Sequence, residues 1–220
     1  MKLVSFASVV AVSVSVAVPP IAGQQTFEVD ARAGWAVPTG ALADFARAGP
    51  SYALGVSYWL SDRLAVRVEG AFDDFRTRSF NVTTPEQEAF FGVAPGPRVG
   101  VRVWHYTAGL RFGLTPPGAR LALDAKVGLG LARTATDATT GALSDPLGSS
   151  LTLSETHFDP AANGGLQLAY RLDDRLQVFA GAELRAAFGA SRDPGDTFVV
   201  RPFGTMLTVP TTAGFRMSLP

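Results

Sequence analysis

The chain has 220 residues, 47% hydrophobic and 17% charged, with 19 basic residues against 19 acidic ones. That is too apolar for a disordered chain, long enough for one domain of about 200 residues, and too evenly charged for a basic nucleic-acid binder. It has no cysteine and two histidines, which excludes disulfide frameworks, thiolate metal sites and cysteine nucleophiles and leaves little for a histidine-rich metal centre.

Met1 and Lys2 give a short positive start, and the 16 residues from Leu3 to Val18 carry no charge. Pro19 and Pro20 break that run, and Ile21-Ala22-Gly23 supplies small residues before Gln24. This is the three-part layout of a secretory signal peptide, too short for the ~20 residues of a spanning helix. Cleavage is expected after Gly23, with residues 24–220 forming one exported domain.

From there the sequence alternates with period two, the signature of strands. Phe27, Val29, Ala31, Ala33 and Trp35 fall on one face, opposite Glu28, Asp30, Arg32 and Gly34. The second strand sets Tyr52, Leu54, Val56, Tyr58 and Leu60 against Ala53, Gly55, Ser57 and Trp59. In the third, Leu64, Val66, Val68, Gly70 and Phe72 oppose Ala65, Arg67, Glu69, Ala71 and Asp73. The fourth runs from Trp104 to Leu114, with Trp104, Tyr106 and Phe112 opposite His105 and Arg111. The fifth, Leu121 to Ala132, places Asp124 and Lys126 against a row of Leu, Ala and Val. The sixth spans Gly165 to Leu172 with Tyr170 opposite Arg171, the seventh Leu176 to Phe188 with Phe188 opposite Glu183 and Arg185. The eighth, about Phe203 to Leu219, carries Phe215 opposite Arg216.

Short connections alternate with long ones. Ser61-Asp62-Arg63, Pro116-Pro117-Gly118 and Asp173-Asp174-Arg175 are tight; residues 36–50, 74–100, 133–162 and 189–202 are long. Long loops at every other connection all emerge at one end of an up-and-down sheet. An internal echo pairs Tyr58-Trp59-Leu60-Ser61-Asp62-Arg63-Leu64 with Tyr170-Arg171-Leu172-Asp173-Asp174-Arg175-Leu176. Equivalent turn chemistry explains it more simply than duplication, because only the turn matches well.

Alternation does not by itself say which face is outside. A soluble lipocalin-like carrier would turn the same apolar face inward around an apolar ligand. Three features favour the opposite polarity. The polar faces are rich in Gly and Ala, which suits a crowded interior. The exported part has a single lysine, Lys126. Aromatic residues sort by height into two belts, the girdles of a lipid-facing wall. Phe27, Tyr58, Phe112, Tyr170 and Phe215 fall near the short-turn end; Trp35, Tyr52, Phe72, Trp104, Tyr106, Phe188 and Phe203 fall near the long-loop end. The inward set then holds Glu28, Asp30, Glu69, Asp73, Asp124 and Glu183 against Arg32, Arg67, Arg111, Lys126, Arg171, Arg185 and Arg216. Buried charges must pair, so a charged plug is expected rather than an open channel. A narrow pore for ions or small solutes is the alternative.

The eight alternating strands, the Tyr-x-Leu-x-Asp-Arg-Leu turns and the closing Ala213-Gly214-Phe215-Arg216-Met217-Ser218-Leu219 resemble the small outer-membrane β-barrel proteins of the OmpA/OmpX type. The resemblance covers nearly all of Gln24 to Pro220, although such chains commonly end in Phe or Trp and this one ends in Pro220. It implies an all-β fold, an eight-stranded antiparallel up-and-down transmembrane barrel in the bacterial outer membrane. It further implies contact with outer-membrane lipid and lipopolysaccharide, insertion by the barrel-assembly machinery, and a monomer.

No catalytic, cofactor or metal residue is assigned. His105 is expected inward, with no serine nearby in sequence for a nucleophilic pair. His157 is expected in the third long loop beside Glu155 and Asp159, where solvation explains it. The expected role is structural or surface-interacting rather than enzymatic. Detergent should therefore be required to extract the protein, and its unboiled gel mobility should shift on heating. Tags near Pro85 and Gly148 should be labelled on intact cells and one near Asp173 should not; a soluble monomer in the osmotic-shock fraction, or reversed labelling, contradicts this.

Overall fold

The computed structural model describes residues 27–40, 42–43, 46–77, 98–139, 152–189 and 205–219. The signal segment and Phe203 lie outside the described residues. The elements are β1 (Phe27–Thr39), β2 (Ala46–Arg47), β3 (Gly49–Ser61), β4 (Leu64–Thr77), β5 (Arg98–Gly113), β6 (Leu121–Thr139), β7 (Thr152–Arg171), β8 (Leu176–Phe188) and β9 (Thr205–Leu219). Eight of them form the wall. The ninth, β2, is a two-residue ribbon laid against the loop end of β4.

Each wall strand pairs antiparallel with its sequence neighbours, and β1 pairs with β9 to close the sheet. Closure leaves no edge, which a sheet in an apolar medium requires. Following paired residues from Arg216 to Asp30 and once around the wall returns to β9 at Met206, ten residues along the strand from the start. That stagger goes with strands tilted by roughly 35–45° and an interior just wide enough for side chains. The tight wall also explains the inward glycines. A Cβ at Gly109 or Gly130 would sit 1.9 Å from a carbonyl oxygen of the next strand, and one at Gly55 would strike the Arg67 guanidinium.

Polarity is inverted relative to a water-soluble protein. Along β1, Glu28, Asp30 and Arg32 are buried while Phe27, Val29, Ala31 and Trp35 are exposed. Leu129 is 73% exposed and Leu54 66%, whereas Arg185, Arg216 and Asp30 are each 1% exposed. Burial normally follows hydrophobicity; here the wall is apolar outside and charged inside, as a surrounding hydrocarbon layer demands. The lipocalin-like alternative is thereby corrected, since its apolar face would have to surround the ligand.

The long connections are shorter than the sequence suggests. The sequence pattern predicts one long loop over residues 133–162, but β6 and β7 stay paired as far as Thr139 and Thr152. His157 consequently lies on β7 opposite Thr134, not in a loop. Beyond the apolar band a ribbon has no lipid face, so its alternation disappears while backbone pairing and the β-branched Thr run continue. β4 and β5 likewise extend to Thr77 and from Arg98.

The two echoing turns share one mechanism. Ser61 Oγ accepts from the Arg63 and Leu64 backbone N–H groups at 3.4 and 3.2 Å; Asp173 Oδ1 accepts from those of Arg175 and Leu176, both at 2.7 Å. A side-chain oxygen that binds N–H groups two and three residues on is standard turn chemistry. The two backbone donors hold the Asp173 carboxyl below its ordinary range.

Val127 is 52% exposed beside buried Lys126. An Arg on the lipid face at the midplane costs about 2–4 kcal/mol, so Val127→Arg should impair folding into bilayers while Val127→Leu does not. Equal bilayer-folding titrations of the two would show that this face does not meet lipid.

Candidate functional site: the lumen and its two ends

The closed wall forces every inward side chain into one shared volume. At its centre Arg67 grips Asp30 with both terminal nitrogens (Nη2 to Oδ1 at 2.9 Å) and reaches Glu69 Oε2 through Nε at 3.0 Å. Glu69 also accepts from Arg32 and from Lys126 Nζ at 2.8 Å. Glu183 meets Arg32 and Lys126, each at 2.8 Å, and takes a 2.9 Å bond from Asn163. Glu69 and Glu183 are thus two hubs bridged by the same pair of bases.

Towards the short turns, Arg111 joins Glu28 to Asp124 at 2.5 and 2.8 Å, and Arg216 reaches Asp124 at 3.0 Å and Gln167 at 2.9 Å. Towards the loops, Arg185 binds Asp73 at 2.8 Å and Glu183 at 3.1 Å, with His105 Nε2 3.6 Å from Asp73. The structure therefore brings together six acids and six bases, all nearly inaccessible to solvent. Arg171 is not among them. It sits at the short-turn rim, where Nη1 donates to the Gly118 carbonyl at 3.4 Å. Its strand parity is inward, but at that height the lumen already opens.

Two further layers were not singled out from the sequence. At the short-turn end, Trp59 and Phe179 point inward, with the Arg111 and Arg216 guanidinium carbons 4.8 and 5.0 Å from their ring centroids. These cation–π contacts place an aromatic floor under the charges. At the loop end an apolar cap packs over them: Leu42 from the β1–β2 connection, Phe75, Val101, Val103 and Met206, with Ala36, Ala132, Ala161 and Ala187 between. The available signal was parity, since Phe75 continues the inward series Arg67, Glu69, Asp73 past the expected strand end. Leu42 carries no periodic signal, because it enters from a connection. A void beside Arg67, Lys126, Gly128 and Asn163 measures about 10 Å³, the room one water needs.

On the outer wall, Phe27 and Tyr58 pack 4.8 Å apart at the short-turn end, on the same outward face as Phe112, Tyr170 and Phe215. Phe72 and Trp104 pack at 5.0 Å near the loops, with Trp35, Tyr52, Tyr106 and Phe188 also outward. Arg120 lies over Tyr170 at 5.2 Å and Arg133 over Trp104 at 5.0 Å. Among the described residues, no group of three His, Asp or Glu side chains is arranged to hold a metal ion.

No protein-family model matches the sequence, and no curated protein matches it. Solved structures do match in fold. A major outer membrane protein from Thermus thermophilus aligns with TM-score 0.58 at 14% identity, covering 90% of this chain and 100% of that one. Neisserial surface protein A aligns with TM-score 0.53 at 16% identity, covering 88% and 97%. The Escherichia coli outer membrane protease OmpT aligns with TM-score 0.51 at 10% identity, covering 88% and 97%.

Glu69 contacts four bases, Arg32, Arg67, Lys126 and, at 3.9 Å, Arg185, and removing one partner of a buried pair costs about 3–5 kcal/mol. Glu69→Gln should lower the unfolding free energy of the detergent-folded protein, read from urea titration, by a corresponding amount, and rim Arg171→Gln should leave it within about 0.5 kcal/mol. Equal unfolding free energies for the two variants would mean that the network does not hold the lumen together. With its closed wall of eight antiparallel strands, apolar outside and charged within, the chain has the fold of the small outer-membrane β-barrel proteins.

Proposed function

We propose that this is a non-enzymatic integral outer-membrane barrel with a structural or surface-interaction role, whose lumen stays shut. The observation that carries the reading is the stack of three inward layers: aromatic floor, twelve-charge network and apolar cap. A pore needs a continuous polar path, and the cap interrupts one even where the charged layer is hydrated. The chemistry of the wall suits outer-membrane lipid and lipopolysaccharide as its surroundings, with insertion by the barrel-assembly machinery and function as a monomer. Export by the amino-terminal segment and cell-surface display of the long connections complete the reading.

An enzymatic role finds less support. One barrel of similar fold is a protease, so the fold alone does not decide. Here His105 is 4% exposed inside the wall beside Asp73, where no substrate reaches it. The charge network reads as filling rather than as a catalytic constellation.

Planar-bilayer recording tests the closed lumen. Purified wild type should show no stable conductance, and Arg67→Ala with Glu69→Ala should stay closed while Leu42 and Phe75 are intact. Adding Leu42→Ser and Phe75→Ser to that pair should open channels. Reproducible wild-type channels that cap substitutions do not alter would favour the narrow pore for ions or small solutes.

A further inference from the structure

The outward wall is not uniformly convex. Across β9, β1, β3, β4 and β5 it carries a groove of about 620 Å³, almost wholly apolar. Its floor is made of residues with little or no side chain: Ala31, Ala33, Gly70 and Ala213. Large side chains, among them Tyr52, Phe72, Trp104 and Phe215, stand around that floor. The register places the outward lining on two neighbouring paired rows, Phe215, Ala31, Leu54, Gly70 and Tyr106, and Ala213, Ala33, Tyr52, Phe72 and Trp104; the second continues to Arg133 on β6. Arg133 lies over the Trp104 ring at 5.0 Å. Strand tilt makes the row climb towards the loop end, so the small floor lies at acyl-chain depth and the arginine lies at the height of the upper aromatic belt, between Trp104 and exposed Phe158.

We infer that this groove is a lipid site: it seats one acyl chain of lipid A, the phosphorylated glycolipid of the outer leaflet, with a lipid A phosphate at Arg133. The inference rests on the outer-membrane reading above. A trough floored by Ala and Gly accepts a narrow chain that the aromatic side chains then hold by dispersion. A guanidinium carbon 5.0 Å from the Trp104 ring centroid is held at the wall by a cation–π contact, and its five N–H donors can bind a phosphate in bidentate fashion. A second copy fits worse. Isologous pairing would set two grooves face to face, leaving an unfilled space between them and two Arg133 side chains near the same apolar surface.

Native mass spectrometry of the detergent-released barrel supplies the test, with three probes: diphosphoryl lipid A, the same lipid stripped of phosphate, and phosphatidylcholine. Wild type should retain diphosphoryl lipid A about tenfold better than either other lipid. Arg133→Gln should abolish that preference while leaving the dephosphorylated lipid bound as before. A Cβ at Gly70 meets nothing within 4 Å, so Gly70→Leu should fill the groove without disturbing the wall and lower retention of both lipid A forms about tenfold. Ala33→Leu, on the same exposed face, should do the same and serves if the first variant does not reach the heat-modifiable form. Unchanged retention in the groove variants, a wild-type preference for phosphatidylcholine, or a dimer that Gly70→Leu dissolves would each overturn the lipid site. Any of these with an unaltered, non-conducting barrel strikes the lipid site alone, whereas wild-type conductance strikes the closed-lumen reading.

Discussion

The backbone has to satisfy all its hydrogen bonds within the wall while that wall faces hydrocarbon, and the rest of the structure follows from this. An open sheet would leave a row of unpaired N–H and C=O groups at its edge, each costing several kcal/mol in lipid. Pairing β1 with β9 removes the edge. Once the sheet is closed, alternation leaves each residue only two directions, and the apolar one is taken by the outside. Every charge on the wall strands at membrane depth is pushed into a lumen whose width the ten-residue stagger has already fixed.

That confinement sets the chemistry of the interior. Charges withdrawn from water are expensive unless paired with good geometry, and here each acid of the network meets at least one base. Glu69 and Glu183, on opposite sides of the wall, are tied by Arg32 and Lys126, so the network braces strands that share no backbone hydrogen bonds. Replacing such a network by apolar packing is often neutral or stabilising. Its value here is therefore better sought in fixing the register of distant strands than in raw stability. The cap and floor seal the two ends with apolar and aromatic side chains, which carry no unpaired charge.

Much of this was legible in the sequence because a barrel wall writes its two faces into alternate residues. Strand number and the separation of the charges on β1 from its apolar residues came from period two, whereas the polarity of Lys126 against Val127 came from the Gly- and Ala-rich polar faces, the single exported lysine and the two aromatic belts. Part of what escaped had no periodic signature. The outer parts of β6 and β7 stand beyond the apolar band, so nothing forces residues such as Thr134 and Thr136 to alternate with hydrophobic partners. Arg171 obeys inward parity but falls at the rim, because parity gives direction and not depth. Leu42 enters the lumen from a connection, and the groove at Gly70 depends on which small residues meet across five strands, which needs the register.

Inverted polarity and a closed lumen are both reported at once by methyl relaxation in the unmodified, isotope-labelled protein. A lipid-embedded paramagnetic probe should strongly relax the outward methyl groups of Leu123, Val127, Leu129 and Leu131. A small water-soluble nickel complex should relax neither these nor the inward methyls of Thr107, Ala132, Ala161 and Ala187. Relaxation of the inward methyls by the nickel complex would reveal an open lumen, and relaxation of the outward ones would reveal a wall that faces water; either result contradicts the account.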